Sequence, residues 1–207
     1  MKKLLAFAVI VFVPSLAFGA ITNSDHDLST GSGGYEASSE TEICKFCHIP
    51  HNARTDQNAL WNRIDPTDNR LQGWGGNTVN DTTLPTTMAA GSARCFSCHD
   101  GSTNLGDLNY GTDIGMVTAT MTGTKRVNNL SMQGNHPISV AYPIGGAGYN
   151  STTSQADPLD YKAPGTARLF TVGGFDGVEC GSCHDPHDTT NAPFLIMSNN
   201  NSALCLD

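Results

Sequence analysis

The chain has 207 residues, with 11 basic and 19 acidic side chains and a formal net charge of −8 at pH 7. That balance argues against nucleic acid and anionic lipid surfaces as partners, and favours cationic partners or plain solubility. Only 31 of the 188 residues after residue 19 are Leu, Ile, Val or Phe. That is too few for side chains alone to offset the ordering entropy of a highly charged chain, so something other than side chains must supply the core.

In chain order, Lys2 and Lys3, the apolar run from Leu4 to Val13, and Pro14 with small residues to Ala20 predict a secretory signal peptide over 1–19. The run is too short to span a bilayer, and no cysteine follows the expected cut between Gly19 and Ala20. Neither a membrane anchor nor a lipid anchor is therefore expected. Export to the periplasm, the outer surface or the exterior is. Loss of Lys2 and Lys3 takes the net charge to −10.

His26 then precedes "CKFCHIPH", with Cys44, Cys47, His48 and His51, and "CFSCH" follows, with Cys95, Cys98 and His99. The same order returns: His136, then "CGSCHDPH" with Cys180, Cys183, His184 and His187, then a lone Cys205. "SARCFSCH" at 92–99 and "SALCLD" at 202–207 share Ser, Ala and Cys, so Cys205 reads as the first half of a fourth motif cut short. One module written twice is the simplest account: a dihaem module over 20–128 and a second over 129–207, with the seam between about residues 110 and 130.

No sustained 3.6-residue apolar stripe follows the leader, so the expected fold is mostly irregular, with short α-helices and few short strands. Short helical turns should start near each motif, limited by Pro50 and Pro186. "HPISVAYPI" at 136–144 reads as a short strand or extended segment, and 75–91 and 148–165 read as loops.

A thioredoxin-like dithiol needs one Cys-x-x-Cys in a βαβ context, and zinc does not explain a histidine after every pair. Covalent haem c does: two thiols add to two vinyl groups, and the next residue offers its imidazole to the iron. His48, His99 and His184 are thus the expected proximal ligands, and His26, His51, His136 and His187 the expected distal ones. His187 lies three residues beyond His184, on the same side of the backbone, and so should ligate a haem other than its own; His51 likewise. The expected pairing is His51 with the haem of His99, and His187 with the haem at Cys205. His26 and His136 are left for those of His48 and His184, or to exchange roles between modules or subunits. Three complete haem c sites follow, with a fourth in a full-length chain. The plates themselves would form the core, and Phe46, Phe96, Ile138, Val140, Phe170, Phe194 and Trp61 could contact them.

The doubled pattern, with "NHPISV" and the terminal "NNNSALCLD", resembles the multihaem c-type cytochromes with doubled CXXCH motifs. It is most similar to the tetrahaem outer-surface cytochromes of metal-reducing bacteria. The resemblance implies bis-histidine haems in stacked and angled contact, with electron transfer to other redox proteins or extracellular acceptors. It also implies head-to-tail self-assembly into filaments, in which a histidine of one subunit ligates a haem in the next, a role that His26 matches best. A non-closing head-to-tail contact gives a filament. A multihaem reductase with an open haem site is the alternative, and a zinc or disulfide module a more distant one.

Overall fold

The computed structural model describes residues 21–31, 34–66, 70, 78–79, 82–83, 88–128, 130–142, 167–172 and 175–206. The expected signal peptide, Trp74 and the loop at 148–165 lie outside them.

Most of the described backbone is irregular, as the missing periodicity predicts. Strands β1 (Thr78–Val79) and β2 (Thr82–Thr83) pair antiparallel, within a stretch expected to be loop. Two-residue strands carry too little pattern to be read from sequence. Helix α1 (Ala90–His99) forms despite Gly91 in its first turn and is closed by Gly101, whose φ of +77° is the left-handed conformation that ends helices. The side chain of Asp100 accepts from Ser102 N–H at 2.9 Å and Thr103 N–H at 2.8 Å, which fixes the turn that follows.

Strand β3 (Val140–Ala141), inside the predicted extended segment, joins β4 (Phe170–Val172) and β5 (Phe175–Val178) in an antiparallel sheet of order β3-β5-β4. Strand β5 runs through Glu179 into α2 (Cys180–Cys183). The sheet thereby delivers the third motif to the start of α1. A 3-10 turn (Asn200–Ser202) and α3 (Ala203–Leu206) end the described chain.

Side chains form more of an interior than composition implied. One cluster holds Leu28, Ala37, Phe46, Leu108 and Ile114; the other holds Met88, Ala93, Phe96, Met132 and Ile138, with Val140 and Cys180 against it. Phe46, Phe96 and Ile138 therefore pack on other side chains. The second cluster draws from both sides of residue 128, so packing does not part there. Gly106 sits where an added Cβ would lie 1.7 Å from the Ile114 carbonyl oxygen. Only glycine allows that close approach of two segments.

Candidate functional site

Each Cys-x-x-Cys-His is a tight turn. His48 N–H donates to Cys44 O at 2.8 Å, and His184 N–H to Cys180 O at 3.0 Å; the second motif fills the end of α1. The first and third motifs continue alike. His48 bridges Trp61, and His184 bridges Leu195. Ile49 N–H donates to Leu60 O and Asp185 N–H to Phe194 O; Asn62 N–H donates to Cys47 O and Ile196 N–H to Cys183 O. One hydrogen-bond pattern thus recurs at both motifs that carry a second histidine.

The three motif histidines share a feature that sequence could not disclose. Nδ1–H of His48 donates to Ala59 O at 2.5 Å, that of His99 to Lys125 O at 2.7 Å, and that of His184 to Pro193 O at 2.9 Å. A carbonyl only accepts, so the proton sits on Nδ1 and Nε2 keeps its lone pair. That is how a histidine is oriented as a metal ligand. The acceptors are backbone atoms, to which the types of Ala59, Lys125 and Pro193 give no clue. His136 Nδ1 donates to Pro137 O at 3.0 Å and His26 Nδ1 lies 3.5 Å from Pro186 O. His187 Nδ1 lies 3.4 Å from Asp185 Oδ1. Burial lowers the pKa of His26, His48 and His99 below the usual imidazole value, and neighbouring histidines add to it. Burial thus disfavours the charged imidazolium at all three.

The imidazoles come together in pairs. His48 and His187 have ring centroids 6.0 Å apart with planes at 20°, and His26 and His99 are 6.1 Å apart at 73°. A metal–imidazole bond is about 2.0–2.1 Å long, which places two imidazoles across one metal with centroids roughly 6.3 Å apart. Both pairs have that span. The nearest imidazoles are thus His187 to His48 and His26 to His99, where the sequence led to His187 with the haem at Cys205 and His51 with that of His99. The reason is local. Asp185 Oδ1 accepts from His187 N–H at 2.9 Å, turning His187 out of its own motif, while Phe194 stacks on His26 at 4.2 Å and Pro186 receives it. His51 and His136 are exposed and lie opposite no other imidazole among the described residues.

The cysteines influence one another electrostatically. All seven are free of disulfides. Burial pushes the Cys47 thiol up to about 12, with Cys98 adding to the rise and Arg63 opposing it. Cys95 hydrogen-bonds Cys180 and is raised by that bond and by burial. The Cys183 thiol is raised chiefly by burial, with Cys205 and Cys180 adding to the rise. No group of three or more His, Cys, Asp or Glu side chains converges as a metal site among the described residues, so the thiols are not gathered as a zinc cluster.

Two buried charged side chains complete the site, and neither stood out in the sequence. Arg63 is 0% exposed and its guanidinium lies between the first and second motifs. Glu179, 1% exposed, lies between the second and third. Glu179 Oε2 accepts from Ser92 N–H at 3.0 Å, from Ser92 Oγ–H, and from Ser139 Oγ–H at 3.3 Å. Its Oε1 has no partner among the described residues.

Residues 173–207 match the family model of the doubled CXXCH motif. No curated protein matches the chain. The doubled motif indicates covalent haem c binding, and the chain's residues fit that group: paired thiols precede each lone-pair-bearing imidazole, and two of those imidazoles have a second one opposite at the required span.

Proposed function

We propose that this protein is a multihaem c-type cytochrome that carries electrons along a row of haems set in the chain order of their motifs. The observation that carries the reading is the pair of opposed imidazoles, His48 with His187 and His26 with His99. Cys44 and Cys47, Cys95 and Cys98, and Cys180 and Cys183 would hold three haems, with His48, His99 and His184 as proximal ligands. When bound, the cofactor supplies one-electron exchange at iron, at a potential tuned by ligands, burial and nearby charge. The chain's part is to orient and space. Nδ1 donation to carbonyls fixes each ring, and the neighbouring thiols of Cys95 and Cys180 bring the second and third attachment points close together. Cys205 extends that row toward a fourth attachment.

At the first two motifs two imidazoles on one iron would leave no position for a substrate, which favours a carrier role for those haems. The charged, apolar and small-residue pattern of the first 19 residues supports export, and so transfer to acceptors outside the cytoplasm. Head-to-tail assembly rests on the family resemblance alone; filaments in negative-stain images of secreted protein would support it, and discrete particles would remove it. The decisive test is the haem itself. Alkaline pyridine should give the haem c spectrum at three or four per chain, and carbon monoxide should leave the reduced spectra of the first two haems unchanged. A colourless protein with titratable thiols would overturn the reading.

A further inference from the structure

Arg63 is a buried cation with no anion to meet it among the described residues. Its five N–H groups, all that a guanidinium has, go to neutral acceptors. Nε–H donates to Ser97 Oγ at 3.2 Å, Nη1 to Leu105 O at 2.7 Å and Phe46 O at 3.5 Å, and Nη2 to Ser97 O and Asn104 O at 2.9 Å each. Phe46 and Ser97 are the residues between the cysteines of the first and second motifs. The guanidinium is thus hydrogen-bonded to the interior of both attachment turns at once. Uncompensated burial of a charge is costly, and a neutral side chain could cross-link the same carbonyls more cheaply. The third motif is preceded by a carboxyl group instead, that of Glu179, itself 1% exposed.

We propose that Arg63 is a potential-setting residue: its unneutralised charge favours an electron on the haems of the first two motifs over that of the third. This rests on the multihaem reading above. Each reduction adds one electron from an external donor such as dithionite, ferric to ferrous, and no bond is made or broken. A positive charge fixed nearby in a low-dielectric interior stabilises the added negative charge. It gives the row a direction, with the N-terminal pair as its electron-rich end.

The test uses holoprotein carrying R63Q, R63K or neither, with haem content read by pyridine haemochrome and potentials by spectroelectrochemistry. With haem loaded, R63Q should lower the preference of two haems for the electron at least tenfold, which is 59 mV for a one-electron couple. R63K, which keeps the charge and loses the fork, should stay within tenfold of wild type. Equal potentials in R63Q and wild type, or an equal fall in R63K, would overturn the proposal while leaving the cytochrome reading intact; absence of haem from wild type would overturn that reading. If R63Q does not load haem, the order of reduction in wild type decides, followed by NMR of the haem methyls. The haems of Cys44–Cys47 and Cys95–Cys98 should be reduced before that of Cys180–Cys183, and the reverse order overturns the proposal.

Discussion

At the scale of single residues, function rests on which nitrogen of each histidine holds the proton. His48, His99 and His184 each lose Nδ1–H to a carbonyl, so only Nε2 can act as a ligand. His187 carries a testable consequence. Replacing it with Ala should open the sixth position at the haem of His48, not at its own, and carbon monoxide should then shift the reduced Soret band of that one haem. Added imidazole should close the position again. Retention of six-coordination at the first motif in H187A would refute the pairing. The motif residues were legible because their chemistry demands those types at that spacing. Their partners were not: Nδ1 acceptors are main-chain atoms, and the opposition of His48 and His187 depends on tertiary structure that no short spacing encodes. The duplicated order of His, CxxCHxPH and CxxCH suggested pairing within modules, and the fold pairs His187 across to the first motif instead.

Among elements, the junction of α1 with α2 is built around Glu179. Ser92 Oγ donates to its carboxyl and accepts from Cys180 N–H at 3.1 Å, which ties the two helix starts together. Burial raises the Glu179 pKa above its ordinary 4.5, against the hydrogen bonds from Ser92 and Ser139. The folded protein therefore holds this proton to higher pH than the unfolded chain. Unfolding releases it, and stability falls as pH rises from about 4.5 through the raised value. Glu179→Gln should abolish that dependence, so the variant gains on wild type as pH rises; chemical denaturation from pH 4 to 8 measures it. A stability difference constant across that range would show that Glu179 does not titrate there. Helix α1 illustrates why element lengths were hard to read. The turns at the first and third motifs are short, as Pro50 and Pro186 suggested. Ala89, Ala90 and Ala93 extend the second to ten residues, and the sequence has no apolar stripe there to mark it.

Across the whole molecule, acidic side chains exceed basic ones by eight, and charge of one sign steers encounters with the other. Reduction by a cationic mediator should slow as ionic strength rises, and reduction by an anionic mediator should quicken, because salt screens attraction and repulsion alike. Stopped-flow rates at low and high salt check this, and matching slopes for the two mediators would remove net charge from the mechanism. The composition also led to an interior made wholly by cofactors. The two side-chain clusters show that side chains supply an interior of their own.

The contact of His26 with Pro186 spans 160 residues, and His187 crosses nearly as far to reach His48. A chain made from its N-terminus releases His26 before Cys95 and Cys98, so the second motif finds its opposing imidazole already synthesised. The first motif must wait for His187, 139 positions further on. On the multihaem reading, the earliest attachment site to emerge would be closed after its successor, so that loading would run out of step with synthesis.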